Sequence, residues 1–305
     1  MSNILPPNSD GVNLTLDELL YYKQQSIRWL PPAKSLWSQM LGQHQSRRLG
    51  RGMDFSEVRQ YQAGDDIRAI DWRVTARTGK PHTKLFSEEK EKPIILFLDL
   101  SSSMLFGSTL MLKSVQVAHL ASLIAWICVA QQDRVGAIID TGEELIDIKP
   151  SARQKGALTI IQSLVTVHQQ LLGKKSRPTH DLADGLMSLS RLCPKGSEIT
   201  LLSDFSRFSD KNESILNKLS QHNRLHMVQI IDPLEQGQTQ YRGLEKVTDN
   251  KEVHWLDFSS RQTREGIRYA FEQHQQKIKT IASKTGIRFS SISCDTAITQ
   301  QLHGL

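Results

Sequence analysis

The fold class of this 305-residue chain is decided by the stretch Ile94-Ile95-Leu96-Phe97-Leu98-Asp99-Leu100-Ser101-Ser102-Ser103-Met104. An apolar run of this length, with Pro93 before it and a serine cluster after it, is typical of a buried strand in a parallel sheet. Open α/β sheets bind their ligands at the carboxyl ends of such strands. We therefore expect Asp99, Ser101 and Ser103 to lie at a ligand-binding edge.

From residue 93 onward, strand-like and helix-like patterns alternate. We predict strands at 94–98, 134–140, 145–149, 199–203, 227–231, 253–256 and 288–292, and helices at about 110–131, 152–166, 181–192, 210–222 and 262–284. The 145–149 strand follows a Thr141-Gly142 turn, so we expect it to pair antiparallel with the strand before it. The alternation predicts an α/β fold with a doubly wound, mostly parallel sheet.

The chain divides into three predicted segments. Residues 1–45 hold a polar arm and a helix that begins at the cap signal Thr15-Leu16-Asp17-Glu18 and ends at Pro31-Pro32. Residues 46–92 are dense in Arg, Asp, Gly and aromatic residues without long periodic segments, which predicts a small β-rich module of short strands and turns. Residues 93–305 form the predicted α/β domain.

Composition favours a cytoplasmic protein. The three cysteines, Cys128, Cys193 and Cys294, are odd in number and far apart, as expected of reduced thiols. The N-terminus lacks the basic and apolar regions of a signal peptide. The longest apolar helix-like stretch, 120–130, is too short to span a bilayer, so we expect no membrane span.

The net charge of +6 is weak evidence for nucleic-acid binding. A phosphate-binding face concentrates one sign of charge. The basic residues between Arg47 and Lys84 are instead interleaved with acidic ones: Asp54, Glu57, Asp65, Asp66 and Asp71. We therefore expect no nucleic-acid partner.

The polar residues after the first predicted strand form a set of oxygen ligands. One carboxylate and two hydroxyls suit Mg²⁺, which prefers oxygen. Asp204 ends a second apolar strand, and Thr179 precedes a predicted helix. We predict a site for Mg²⁺ or Mn²⁺ made by Asp99, Ser101, Ser103, Thr179 and Asp204. The alternative is that the serines form a polar turn and that Asp99 accepts hydrogen bonds from backbone amides.

This set resembles the metal-ion-dependent adhesion site of von Willebrand factor A domains. The resemblance implies a metal ion with an open position, which an acidic residue of a partner protein fills. In the family pattern a threonine directly precedes the Asp-Leu pair, whereas His180 stands there in this sequence and Thr179 lies one residue earlier. Thr179 or His180 could complete the site, or the third hydroxyl is missing. Imidazole suits manganese or zinc better than magnesium, so the metal stays open.

A second informative block lies before the sheet. It includes Gly64-Asp65-Asp66-Ile67-Arg68 and Ile70-Asp71-Trp72-Arg73. Arg–carboxylate pairs are expected to hold this small module together around a thin apolar core of Phe55, Tyr61, Ile67, Ile70 and Trp72. With Trp72 buried, we expect Trp72→Ala to cost ~3 kcal/mol or more.

This block, followed by Asp99-x-Ser-x-Ser, resembles the bacterial domain-of-unknown-function 58 family that accompanies MoxR-type AAA+ ATPases. The resemblance runs from about Gly50 to Asp232 and includes the unusual run Gly-Asp-Asp-x-Arg-x-Ile-Asp-Trp. It implies a von Willebrand A-like domain beside a small β-rich region. It also implies that the chain works with such an ATPase in metal insertion, maturation or remodelling of protein complexes.

The sequence argues against catalysis by this chain. Phosphatases of the haloacid dehalogenase type also begin with a buried strand that ends in Asp, but they need a second Asp where Ser101 stands. The chain also lacks the phosphate-binding Gly-x-x-x-x-Gly-Lys-Ser/Thr motif. We predict a non-enzymatic, metal-dependent protein-binding module with a chaperone-like role. Its partner would be a MoxR-type AAA+ ATPase or another protein with an acidic contact residue. The alternative is a metal-dependent phosphatase-like hydrolase.

Overall fold

The structure, a computed structural model, describes residues 5–28, 49–50, 54–87, 93–174, 179–248 and 253–303. The described residues of 1–42 and 92–305 form one unit, and those of 43–91 form a second, smaller unit. The predicted helix end at Pro31-Pro32 lies outside the described residues.

The elements are numbered here in chain order. The strands are β1 Leu49–Gly50, β2 Asp54–Gln60, β3 His82–Ser87, β4 Pro93–Asp99, β5 Arg134–Asp140, β6 Leu145–Ser151, β7 Glu198–Ser203, β8 Arg224–Ile231, β9 Leu244–Thr248, β10 Val253–Asp257 and β11 Arg288–Ser293. The described α-helices are α1 Leu16–Arg28, α2 Trp72–Thr78, α3 Lys113–Ala130, α4 Arg153–Leu171, α5 Leu182–Leu192, α6 Asp210–Ser220, α7 Arg261–Lys284 and α8 Ile298–His303.

A six-stranded sheet forms the centre of the larger unit. Its strand order is β11-β8-β7-β4-β5-β6. All neighbouring strands run parallel except β5 and β6, which are antiparallel. The prediction of an α/β fold with a mostly parallel central sheet is confirmed, including the antiparallel partner after the Thr141-Gly142 turn.

Strand β4 lies in the interior of this sheet, and its residues from Ile94 to Asp99 are buried. Its side chains alternate between two core layers, as the period of two in a strand requires. Leu96 and Leu98 pack in the layer that holds α1, α3 and α4, whereas Ile95 and Phe97 pack in the layer with α5, α6 and α7. Burial on both faces explains why this strand reads as an unbroken apolar run.

Helix α3 lies within the predicted helix at about 110–131, but its apolar stretch is longer than the predicted 120–130. It has 18 residues and is apolar enough to cross a membrane by length and composition, with 89% of it buried inside the protein. The predicted length of the apolar stretch, 120–130, is therefore wrong, whereas the absence of a membrane span stays a prediction. A helix buried in the core of a protein can have the same length and composition.

Helix α1 belongs to the larger unit, although the sequence suggested a separate N-terminal segment. Tyr22 and Leu19 are buried in the core layer of α3. The Ser122 hydroxyl of α3 donates to the Leu19 carbonyl at 2.7 Å. Glu18 and His119 are both fully buried, with the carboxylate 3.3 Å from the imidazole Nε2. Apolar packing and a buried polar pair thus fix α1 to α3.

The smaller unit combines three strands, in the order β1-β3-β2, with a 3₁₀ helix at Ile67–Ala69 and helix α2. Asp71 caps α2 by accepting hydrogen bonds from the amides of Arg73 and Val74 at 3.0 and 3.1 Å. Gly79 ends the helix in the left-handed conformation, with φ 70°. The prediction of only strands and turns missed this helix, because a seven-residue helix gives almost no periodic signal.

The predicted core of the smaller unit is wrong at two positions. Trp72 is 68% exposed and Ile67 is 65% exposed. The aspartates here act mainly on the backbone: Asp66 caps the 3₁₀ helix, and Asp65 accepts from the Gln62 amide as well as from Arg59. Caps and turns therefore account for much of the density of aspartate, beside ion pairs such as Arg59–Asp65 and Lys84–Asp71.

The predicted strand at 253–256 lies outside the central sheet. It is β10, which pairs antiparallel with β9 in a separate two-stranded ribbon. Leu244, Val253 and Trp255 of this ribbon are exposed.

Candidate functional site

Four aspartates mark the carboxyl ends of four adjacent strands. Asp140 ends β5, Asp99 ends β4, Asp204 follows β7, and Asp232 follows β8. All four side chains are buried. The chain leaves β4 for β5 on one side and later enters β7 on the other side, so β4 and β7 flank a topological switch point. Ligand sites of open α/β sheets lie at such points.

Asp99 lies between Asp204 and Asp140 in this row. Its Oδ1 accepts from the Ser101 amide at 3.0 Å and from Arg207 Nη2 at 2.9 Å, and its Oδ2 accepts from the Ser203 hydroxyl at 2.6 Å. Burial raises the pKa of Asp99, and the nearby carboxylates of Asp204 and Asp140 add to this against the opposing effect of Arg207. Asp99 is thus a carboxylate that needs a cation to stay ionised.

Arg207 supplies that cation. Its Nη2 lies 2.9 Å from Asp99 Oδ1 and 2.8 Å from Asp140 Oδ2. Burial alone would lower the pKa of the guanidinium, but the two carboxylates raise it. Its Nε and Nη1 are buried without a hydrogen-bond acceptor among the described residues. One nitrogen therefore holds two carboxylates while two other nitrogens of the same group have no acceptor.

Lys113 neutralises the neighbouring acids. This first residue of α3 is 1% exposed, and its Nζ lies 2.8 Å from Asp204 Oδ2 and also pairs with Glu235. Burial alone would raise the pKa of Asp204, but the Lys113 ammonium lowers it to about 2. A positive charge at the start of a helix opposes the helix dipole, so the carboxylates must stabilise Lys113 there.

Asp232, at the far end of the row, is satisfied by uncharged donors. It accepts from the Ser108 amide at 2.8 Å and hydroxyl at 2.5 Å, from the Leu234 amide at 2.8 Å, and from the Cys294 thiol at 3.1 Å. Burial and the Asp232 carboxylate raise the pKa of Cys294, which therefore stays a thiol. Asp232 fixes loops and is separate from the Arg207 contacts.

The loop after β7 positions Arg207 beside Asp99 and Asp140. Phe205 adopts a positive φ of 57°, which is unusual for a bulky residue. Its amide donates to the Ser203 hydroxyl at 2.9 Å, and its carbonyl lies 3.0 Å from His274 Nε2. Such contacts are needed to hold a residue in this conformation.

The structure brings most of the predicted ligands together. Ser101 and Ser103 hydroxyls lie 3.4 Å apart beside Asp99. Ser206 links Ser103 to Asp204: its hydroxyl donates to Ser103 at 3.1 Å and its amide donates to Asp204 at 2.8 Å. Asp99 also accepts from a backbone amide, as the alternative of a polar turn predicted.

Thr179 does not join this group. Its hydroxyl lies 3.5 Å from the Gly142 carbonyl and 3.3 Å from the Glu143 carbonyl, in the turn between β5 and β6. Its amide also donates to Gly142, at 2.8 Å, which fixes it at that turn. His180 Nε2 instead lies 2.9 Å from Asp140 Oδ1, so the histidine contacts the acidic row.

This arrangement does not fit a divalent metal ion. Mg²⁺ needs oxygen ligands at about 2.0–2.1 Å in octahedral geometry. The oxygens of Asp99 and Asp140 instead surround a guanidinium nitrogen at hydrogen-bond distances, and Asp204 is paired with Lys113. Among the described residues, no group of three or more His, Cys, Asp or Glu side chains is placed to hold a metal.

Three important residues were missed from the sequence. Asp140 ends an apolar strand in the same way as Asp99, so this signal was available. Lys113 and Arg207 gave weaker signals, because a single lysine before an apolar helix and a single arginine in a loop are common.

Comparisons with known proteins confirm the resemblance to the family, over a range that begins after Gly50 and extends beyond Asp232. A family model described as "Protein of unknown function DUF58" matches residues 57–278. "Uncharacterized protein Rv1480" of Mycobacterium tuberculosis and "Uncharacterized protein Mb1516" of Mycobacterium bovis are each 29% identical over 164 residues, 54% of this chain and 50% of each relative. The chain thus spans about half the length of these curated relatives.

Two solved structures are similar at low identity. The conserved hypothetical protein BatB from Bacteroides thetaiotaomicron aligns with a TM-score of 0.45 and 13% identity, covering 70% of this chain and 94% of that one. An aerotolerance-related membrane protein from Bacteroides fragilis aligns with a TM-score of 0.41 and 11% identity, covering 70% of this chain and 100% of that one.

Proposed function

Because this chain belongs to the family of proteins of unknown function DUF58, as the match over residues 57–278 establishes, we propose that it is a non-enzymatic protein-binding module. Its binding site is the carboxyl edge of the central sheet, around Asp99 and Arg207. The larger unit would be von Willebrand A-like, and the partner would be a MoxR-type AAA+ ATPase in the maturation or remodelling of protein complexes. We place this function in the cytoplasm.

The position of Arg207 at this edge supports this proposal most directly. Its side chain is 13% exposed and lies beside the exposed Ser206, so a partner can reach the guanidinium, although its Nε and Nη1 are buried. The hydroxyls of Ser103 and Ser206 lie at the same edge. A carboxylate from a partner would match a guanidinium and hydroxyls, and charge-assisted bonds of this kind are strong. The proposed contact is thus an aspartate or glutamate of the partner.

The environment of Asp99 favours binding over hydrolysis. A nucleophilic carboxylate must reach its substrate, whereas Asp99 is 1% exposed and both its oxygens are hydrogen-bonded. Ser101 stands where a phosphatase of the alternative class needs its acid, and the Ser101 side chain is buried as well. These contacts support the proposal of binding over the hydrolase alternative.

The choice of ATPase partner rests on the sequence resemblance, chiefly the run from Gly64 to Trp72. The test is direct binding between the purified chain and a purified MoxR-type ATPase from the same organism, with Mg²⁺ and ATP present for the ATPase. We expect binding by the unmodified chain and at least tenfold weaker binding by Arg207→Ala.

Arg134→Ala is the matched control. Arg134 begins β5 and Asp140 ends it, so this exposed arginine lies at the opposite edge of the sheet, ~20 Å away at the usual rise of a strand. We expect this variant to bind normally. Equal binding by Arg207→Ala and the unmodified chain would overturn the proposed contact, and no binding at all would overturn the choice of partner.

A further inference from the structure

We infer that Arg207 is the resident cation of the acidic site and takes the position that a divalent metal ion would otherwise occupy. The aspartate and serine ligands at the ends of β4 and β7 are those of a metal site by residue type. The structure nevertheless places a side-chain cation among them. The chain therefore needs no metal ion at this edge.

The first argument is geometric. Arg207 Nη2 lies 2.9 Å from Asp99 and 2.8 Å from Asp140, so one nitrogen joins carboxylates from two adjacent strands. A metal ion binds carboxylates in the same bridging way, but at shorter distances. The guanidinium and a metal ion would compete for the same oxygens and could not bind them together.

The second argument concerns charge. Asp99 and Asp140 are both buried, and two negative charges this close together in a buried site repel each other unless a cation lies between them. Arg207 stays protonated at every physiological pH. It is also attached to the chain, so it reaches the carboxylates without the loss of translational freedom that a metal ion from solution would suffer. These properties favour the arginine over a free ion.

The third argument is that Arg207 is held through one end only. A guanidinium that binds a carboxylate in the bidentate geometry uses two of its nitrogens for that one partner. Among the residues that the structure describes, Nη2 alone bonds to the carboxylates, whereas Nε and Nη1 are buried without acceptors. The Arg207 side chain is therefore held mainly by charge neutralisation, and less by a geometric match between the guanidinium and one carboxylate. A compact cation should satisfy the same oxygens once the arginine is removed.

The experiment compares metal binding by the full chain and by Arg207→Ala, using calorimetric titration with MnCl₂ and with MgCl₂. We expect no saturable binding by the unmodified chain at millimolar metal. We expect Arg207→Ala to bind Mn²⁺ at least tenfold more tightly than the unmodified chain. Adding Asp99→Asn to Arg207→Ala should abolish that gain, because it removes one of the two bridging carboxylates.

Thermal unfolding gives a second measurement. A chelator should leave the unfolding temperature of the unmodified chain unchanged, and Mn²⁺ should raise that of Arg207→Ala but not that of the control Arg134→Ala. Saturable metal binding by the unmodified chain would overturn the inference, as would Arg207→Ala that folds but binds no metal. If Arg207→Ala folds only when Mn²⁺ is present, that result supports the inference.

Should Arg207→Ala fail to fold under either condition, titration of the unmodified chain decides alone: saturable binding overturns the inference, and its absence supports it. No partner protein is used in these measurements. The inference therefore goes beyond the proposed function, and the two can fail independently.

Discussion

Replacing Lys113 by methionine should destabilise the larger unit severely. The substitution keeps an unbranched side chain of similar length but removes an ammonium that is 1% exposed and bonded to Asp204 at 2.8 Å. Asp204 is 7% exposed, so its carboxylate would stay buried without its cation. Removing one partner of a buried ion pair costs about 3–5 kcal/mol. For a unit of this size, that loss corresponds to a decrease of ~6–20 °C in unfolding temperature.

A double-mutant cycle isolates the contribution of the pair. The four proteins are the unmodified chain, Lys113→Met, Asp204→Asn, and the variant with both substitutions. Asparagine keeps the oxygen that accepts from the Ser206 amide at 2.8 Å, so the loop contact is retained. We expect the double variant to be more stable than Lys113→Met alone, because neutralising Asp204 removes the unpaired charge.

Chemical denaturation of all four proteins gives the free energies of unfolding. If the costs of the two single substitutions simply add in the double variant, Lys113 and Asp204 are not coupled and the ion-pair argument fails. A Lys113→Met protein as stable as the unmodified chain would refute it more directly.

Three further predictions concern pH, exposure and packing. Folding lowers the pKa of Asp204 from 3.8 to about 2, so the ionised carboxylate stabilises the folded protein fully above about pH 4. This stabilisation, ~2 kcal/mol, is lost as the pH falls toward 2. Acid denaturation should show the loss in the unmodified chain but not in Asp204→Asn. Trp72→Ala should change the free energy of unfolding by less than ~0.5 kcal/mol, since this side chain is 68% exposed; a loss of several kcal/mol in urea denaturation would show that Trp72 packs in a core. Gly185→Ala should cost ~1–3 kcal/mol, because the new Cβ would lie 2.7 Å from Phe97 Cε2. Gly266→Ala, in an open helical position, should instead stabilise by ~0.5–1 kcal/mol, and the opposite order of unfolding temperatures would contradict this packing argument.

The sheet was predictable because its strands carry their own signals. Strand β4 is apolar along its whole length since both of its faces are buried, and Asp99 stands out where that run ends. The same pattern located Asp204 after β7. Parallel pairing then requires that the two aspartates meet at one edge, so residue pattern and topology together found this part of the site.

The cations and the smaller unit could not be found in this way. Arg207 contacts Asp99 across 108 residues of sequence, and Lys113 contacts Asp204 across 91 residues. Neither ion pair produces a periodic pattern in the sequence. A charged residue in a loop is usually exposed to solvent, so its type alone does not indicate a buried ion pair. Trp72 was wrongly predicted to be buried, because tryptophan is a large aromatic residue. Its exposure depends on how the smaller unit packs around its strands, and the local sequence does not determine that packing.

The long sequence separation of these ion pairs also affects how the chain folds. During synthesis, β4, β5 and α3 are complete before Asp204 and Arg207 have been made, so Asp99, Asp140 and Lys113 have no charged partners at that stage. Three unpaired charges at the end of a partly formed sheet favour hydration of that end over its burial. Contacts between residues that are far apart in the sequence also form late in folding. The amino-terminal part of the sheet should therefore stay open until the loop after β7 has been synthesised. Truncated chains that end before Asp204 should aggregate or be degraded, because they expose apolar strands that cannot close.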